Sequence, residues 1–356
     1  MSQPLPPFSC TFSPTVPDIL HGLNATIAIT TYQAGKVIFI SAQDKDHLIQ
    51  LPRNFEKPMG LALQEEKLAI ATQDAVLVFG NAAKMAPNYP KQKNTYDSLF
   101  LPRAQYFTGN NDIHDLHWEG ETLWAVNTRF SCLATIDHHY SFTPQWKPAF
   151  IDKMEPLDQC HLNGVAFEHQ KPRYVTALGA TTEASGWRPN KAHGGVLIDV
   201  AENSILAKDL PMPHSPRLFD GDLYALHSAT GDLVKIDRST GKFEILKSLD
   251  GFVRGMDKLG DYLFVGLSKL RETSQAFQNL PVSKKSIYCG VVILYMPKMS
   301  LAGYIKYENN VEEIYDVKIL PGLRRPGLVT PQRQEVSAIH TPTEDYWALP
   351  AKAPQP

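Results

Sequence analysis

Three histidines stand in like surroundings along this chain. His114 opens the run IHDLHWEG, His161 lies in CHLNGVAF and His214 in PMPHSPR, each at the start of a short apolar stretch. Neutral imidazole is a common transition-metal ligand and a general acid or base near neutral pH. Three such ligands plus open coordination positions describe a catalytic metal site. His114, His161, Asn163 and His214 are therefore a candidate ligand set for a divalent metal, and His161, His214 and Arg254 are candidate catalytic groups. The plainer alternative is that each imidazole hydrogen-bonds a neighbouring loop backbone and binds no metal. His117, His138, His139 and His169 fall in strand or turn contexts and are set aside.

A second set of side chains suggests what the site would hold. Arg129, Arg188, Arg254, Lys269 and Arg271 are basic residues in neighbouring segments. Arginine offers a planar fork for carboxylate or phosphate. The alternative is pairing with Glu272, Glu312 and Glu313, which would neutralise the pocket. Trp187, in SGWRPNKAHGG, would stack on a sugar or aromatic group, or else cap the core. The candidate substrate-binding residues are Asn127, Arg129, Trp187, Arg188, Lys269, Arg271, Glu272 and Glu313. Cys160 and His161 are no dyad by adjacency, because strand neighbours point to opposite faces. A pairing of Cys160 with His114 or His214 from another repeat would make it a nucleophile. The chain has no GxSxG elbow, P-loop or HExxH motif.

The elements that must bring these residues together repeat. HSPRLFDG, DLYALHSAT, GDLVKIDRST and GKFEILKSL read as four strands joined by hairpin-length gaps with Asp-Gly and Thr-Gly turns, over residues 214–249. Like units cover 253–308, 162–211, 113–140 with a fourth strand near 146–151, and 59–80 with a fourth strand near 98–107. A sixth unit is split. EEIYDVKILPG at 312–322 lacks strands after it, and TIAITTY, GKVIFISA and HLIQLPRNF at 26–55 lack a strand before them. The spacing predicts an all-β, six-bladed β-propeller closed by N- and C-terminal strands that share one blade. A pair of sandwiches is the rival fold, but it gives no reason for the phrase to recur. In a propeller the loops leading into the innermost strands, and those after the second strands, open on one face. The candidate residues fall in those loops.

The boundaries expected are an N-terminal arm at 1–20, one propeller domain at 21–326 and a C-terminal tail at 327–356. Segments 81–97 and 272–287 are read as insertions. The chain has 43% hydrophobic residues, and its net charge of −2 gives no electrostatic footprint for nucleic acid or an anionic membrane. No apolar run approaches the roughly 18 residues of a membrane span. The N-terminus lacks the basic and apolar regions of a secretory signal. Four cysteines without a CxxC pair fit free thiols in a cytoplasmic setting.

The phrases CHLNGVAF, PMPHSPR, GFVRGMD, LFVGLSKLRE and VEEIYDVKILPG resemble a family of conserved hypothetical bacterial proteins, a domain of unknown function found in cyanobacteria and other bacteria. Some members are fused or adjacent to tetratricopeptide-repeat proteins. The resemblance runs through roughly residues 20–328, implies a bacterial origin and a tetratricopeptide-repeat partner, and implies no mechanism. NGVAF also resembles the NGxA strand of gluconolactonase-like and strictosidine-synthase-like six-bladed propellers. In the gluconolactonase group that Asn is a metal ligand, which implies the role for Asn163. A first-blade Glu has its counterpart in Glu312 or Glu313. The expected Asp is absent, with His214 near its place. NG before an apolar strand is also an ordinary turn.

Two functions follow as expectations. One is an enzyme acting on a small polar or anionic substrate at the channel mouth, a hydrolase or lyase that is metal-assisted if the imidazoles converge. The other is a non-catalytic propeller that holds a peptide, glycan or protein partner on the same face.

Overall fold

Short alternating strands joined by tight turns fold into antiparallel sheets, and here six such sheets form a ring. The computed structural model describes residues 5–270, 277, 279–285, 288–332 and 338–347. Blade one is Asp316–Pro321, Ala25–Thr31, Lys36–Ala42 and Leu48–Asn54, from the axis outward. Blade two is Leu61–Gln64, Lys67–Ala71, Ala75–Asn81 and Ser98–Phe107. Blade three is Ile113–Glu119, Thr122–Asn127, Cys132–Ile136 and Thr143–Trp146. Blade four is Leu162–Glu168, Lys171–Ala177, Gly195–Asp199 and Ser204–Leu210. Blade five is Pro213–Phe219, Asp222–His227, Asp232–Ile236 and Phe243–Ser248. Blade six is Phe252–Leu259, Tyr262–Ser268, Cys289–Tyr295 and Ser300–Tyr307. First strands of successive blades touch all round the ring, blade six meeting blade one. The closing blade joins the termini as expected, with Thr26 opposite Leu320 and Ile29 opposite Val317.

Three features differ from the sequence reading. The fourth strand of blade three lies at Thr143–Trp146 instead of near 146–151, where Pro148 withholds an amide from the sheet. The arm at 1–20 holds a strand, Cys10–Phe12, added to the outer edge of blade six, and the start of a helix, Thr15–Leu23. Val16 and Leu20, one turn apart on that helix, are buried at the junction of blades six and one. Pro326–Leu328 adds a parallel fifth strand to blade two. Both additions cover sheet edges that would otherwise expose unpaired backbone groups.

The inner strands are bound to one another by recurring side-chain-to-backbone hydrogen bonds. Asp115, Asp257 and Asp316 accept amide N–H groups of Val165, Ile319 and Leu61 on the following blade, at 3.1, 2.8 and 2.9 Å. Thr30, Thr128, Ser228 and Ser268 donate their hydroxyls to carbonyls of Met59, Leu162, Val253 and Ile314. Gly255, at φ +74°, shows how close the inner strands lie. A Cβ there would come within 2.6 Å of the Val317 nitrogen. Across the axis, the Arg217 guanidinium grips Asp115 bidentately at 2.8 and 3.2 Å and approaches Asp316 at 4.0 Å. This cluster is buried among the inner strands.

Candidate functional site

One mouth opens into a cavity of about 370 Å3 that gathers His114, His161, His214, Trp187, Arg188, Arg254 and Glu313. His114 and His214 are the second residues of the first strands of blades three and five, His161 ends the loop leading into the first strand of blade four, and Trp187 and Arg188 come from the long loop after the second strand of blade four. Asp158 and His161 both take left-handed backbone, at φ +49° and +53°, which folds the loop tightly enough to bring their side chains together. The His161 Nδ1 lies 3.0 and 3.1 Å from the two Asp158 oxygens. The Trp187 indole N–H donates to Asp158 Oδ2 at 3.0 Å, and its ring lies 4.3 Å from that of His161. Asp158 is thus fixed from two sides, and it in turn fixes the imidazole.

His114 and His214 are held differently. Each Nδ1 meets a backbone carbonyl two residues earlier, Asp112 at 2.7 Å and Met212 at 3.0 Å. Burial, reinforced for His114 by His161, Arg254 and His214, and for His214 by Arg254 and His161, pushes both well below the usual imidazole range. Both are neutral at physiological pH. The Tyr315 ring stands 5.2 Å from His114, and its buried hydroxyl is raised well above the usual phenol range, chiefly by burial. The Tyr315 hydroxyl, His214 Nε2 and Arg254 Nε are all buried without a hydrogen-bond partner among the described residues. Arg254 lies over the Tyr315 ring at 4.5 Å and is paired with Glu313 at 3.1 Å, so its charge is largely answered. Arg188 is exposed at the rim, its guanidinium 4.6 Å from the Trp187 ring centroid, with no carboxylate within ion-pair distance among the described residues.

Several expected site residues lie elsewhere. Asn163 is buried between blades four and five, donating to the Pro213 carbonyl at 3.0 Å and accepting from Thr176 at 2.7 Å. Its amide is therefore engaged at both ends. Asn127 is buried and caps a turn by accepting the Phe130 N–H. Arg129 does not line the cavity and lies 3.5 Å from Asp112, which does. Lys269 is exposed, with its backbone bound to Glu312. Arg271 and Glu272 lie outside the described residues. Among the described residues no three His, Cys, Asp or Glu side chains are grouped to hold a metal ion. The set His114, His161, Asn163 and His214 thus does not fit as a ligand cage, and no chemistry is assigned to a metal. Cys160 is buried with its thiol pushed up to about 12 by burial, unsuited to a nucleophile.

The sequence reading missed Asp158 and Tyr315. The spacing Asp-x-x-His at 158–161 was a usable signal for the first. Tyr315 offered none, since it reads as part of an ordinary strand beside Asp316.

With fold and site in view, the relationships become interpretable. The family described as Domain of unknown function (DUF4915) matches residues 14–329. The chain belongs to the DUF4915 family. Its match spans all six blades, including both halves of the shared one. No curated protein matches the chain. Among solved structures, a nidogen/laminin complex is similar, with a TM-score of 0.53 at 9% identity over 84% of this chain and 99% of that one. A protein of unknown function from Bacteroides caccae gives 0.52 at 8% identity, over 83% and 98%. A streptogramin B lyase gives 0.40 at 10% identity, over 80% and 76%. At such identities the first two likenesses concern the fold alone. No helix among the described residues is long and apolar enough to cross a membrane.

Proposed function

We propose that this DUF4915 protein is an enzyme that acts on a small polar substrate at the open mouth by proton transfer through His161. The observation that carries the reading is the Asp158–His161 pair, with both carboxylate oxygens within 3.1 Å of Nδ1. A carboxylate so placed holds the proton on Nδ1 and leaves Nε2 as the basic nitrogen. In a hydrolysis, Nε2 takes a proton from water as its oxygen bonds to the substrate carbonyl carbon, and returns that proton to the leaving group. In an elimination, Nε2 takes the proton alpha to a carboxylate or carbonyl, the freed electron pair forms the carbon–carbon double bond, and the β-substituent leaves with its bonding pair and accepts the proton from the imidazolium. In both, the unpartnered Tyr315 hydroxyl and Arg254 Nε–H, from residues lining the same cavity, would donate to the developing oxyanion. Arg188 supplies the unanswered positive charge for an anionic substituent.

The test is turnover of ester, lactone and hydroxy-acid panels by the wild-type protein and by His161→Gln and Tyr315→Phe, with thermal unfolding as the folding control. Loss of about 100-fold or more in kcat for His161→Gln, in a folded protein, supports general acid–base catalysis. Binding of a panel compound with no turnover by the wild type would instead favour a non-catalytic propeller that holds its partner on this face.

A further inference from the structure

Blades three and five repeat one arrangement around their imidazoles. Fourteen residues after each histidine stands a hydroxyl, Thr128 for His114 and Ser228 for His214, within 2.8 Å of Nδ1. Each hydroxyl is also bound to a carbonyl of the next blade, Leu162 and Val253, at 2.5 Å. A carbonyl only accepts, so the hydroxyl proton goes to it and the hydroxyl oxygen is left to accept from the ring. The carbonyls of Asp112 and Met212 require the same of Nδ1, which must therefore carry the proton. Asp158 imposes that tautomer on His161. In its neutral form each of the three cavity imidazoles consequently presents a bare Nε2, and the His214 Nε2 is buried with no partner among the described residues.

We infer that Thr128 and Ser228 are positioning residues that lock His114 and His214 as Nδ1–H tautomers, making the mouth an acceptor surface for a small hydroxylated ring bearing one anionic group. The ligand's hydroxyls would donate to the Nε2 lone pairs, its ring face would lie against the Trp187 side of the cavity, and its anion would meet Arg188. A cavity of about 370 Å3 is within the size range of small-molecule sites. This names the substrate class of the proposed site and rests on that reading, but its test needs no turnover.

Long-range proton–nitrogen spectra of protein labelled at histidine distinguish protonated from unprotonated ring nitrogens. The wild type is expected to show protonated Nδ1 and bare Nε2 in His114 and His214 from pH 7 to 8. Quinate, a hydroxylated ring acid, should shift the Nε2 signals. Cyclohexanecarboxylate, the same ring acid without hydroxyls, should leave them unmoved, and myo-inositol, without the anion, should bind more weakly than quinate. Thr128→Val and Ser228→Ala should each leave the adjacent Nδ1–H only the Asp112 or Met212 carbonyl, raise the minor fraction of the other tautomer and weaken quinate by about tenfold, the size of one hydrogen bond. Should either variant misfold, the wild-type spectra still decide. Protonated Nε2 in the wild type overturns the lock. Equal responses to quinate and cyclohexanecarboxylate, or none to either hydroxylated probe, overturn the ligand class. Neither result bears on whether His161→Gln abolishes turnover.

Discussion

Replacing Arg217 with methionine tests whether the axial charge cluster holds the ring together. The guanidinium bonds Asp115 at 2.8 and 3.2 Å, donates to the Val165 carbonyl at 3.1 Å and lies 4.0 Å from Asp316. Arg217 is 11% exposed by side chain and both aspartates 5%. Removing it leaves buried Asp115 without its guanidinium partner and Asp316 with Lys318 as its remaining cation, while each still accepts an amide from the next blade. Breaking a buried pair in this way costs about 3–5 kcal/mol. Asp316 sets the lower end of that range, because its carboxyl, raised to about 6 chiefly by burial, takes up a proton at small cost. Equilibrium urea unfolding at pH 7, followed by circular dichroism, reads the loss as a lower midpoint at unchanged slope. The double variant Arg217→Met with Asp115→Asn should be more stable than the sum of the singles predicts, by about 0.5–3 kcal/mol. A loss below about 1 kcal/mol for Arg217→Met, or strict additivity in the double variant, would refute the reasoning.

Acidification should destabilise the fold. His117 and His227 are lowered to about 4, mainly by burial, and His114 and His214 are lowered as well. The unfolded chain takes up these protons near pH 6.5 while the native state does not, so stability falls as pH drops below that value, by at most about 1.4 kcal/mol per histidine per pH unit. Asp316 acts in the opposite sense between about 4 and 6, and one carboxyl is outweighed by four imidazoles. The unfolding temperature should therefore fall from pH 7 to pH 5, and a rise would contradict the burial of these rings. Ending the chain before residue 312 removes the inner strand of blade one, and limited proteolysis should then show no resistant core. A cooperative, protease-resistant product would show that ring closure is dispensable. Cys132, Cys160 and Cys289 are buried, their thiols raised by burial, so alkylation of the native protein at pH 7 should spare them until denaturant is added. Rapid native labelling at any of the three would contradict the packing of these strands.

The blades were legible because their cause is local. Strand alternation and turn residues such as Asp220-Gly221 and Thr230-Gly231 mark hairpins within a few residues, and the unmatched strands at either end of the chain called for each other. The shared mouth followed from that repetition, which is why His114, His161 and His214 could be assigned to one face before any geometry was known. The side chains that decide the chemistry were harder to see. Whether Arg254 faces a ligand or Glu313 depends on a contact between segments 59 residues apart. Asn163 looked like a ligand from its motif, yet its amide is spent on the next blade. The roles of Thr128 and Ser228 depend on which carbonyl takes a hydroxyl proton, and no spacing states that without the neighbouring blade in place.

The most direct test of the central claim is a comparison of small-molecule conversion in a cell metabolite extract. Wild-type protein and Asp158→Asn, an isosteric change that removes the charge holding His161, are incubated separately, and every compound is followed by mass spectrometry. The account predicts that at least one small, hydroxylated, anionic compound is consumed by the wild type with a matching product, and is consumed at least about 100-fold more slowly by the variant. Equal conversion by both proteins, or no conversion by the wild type, would contradict it.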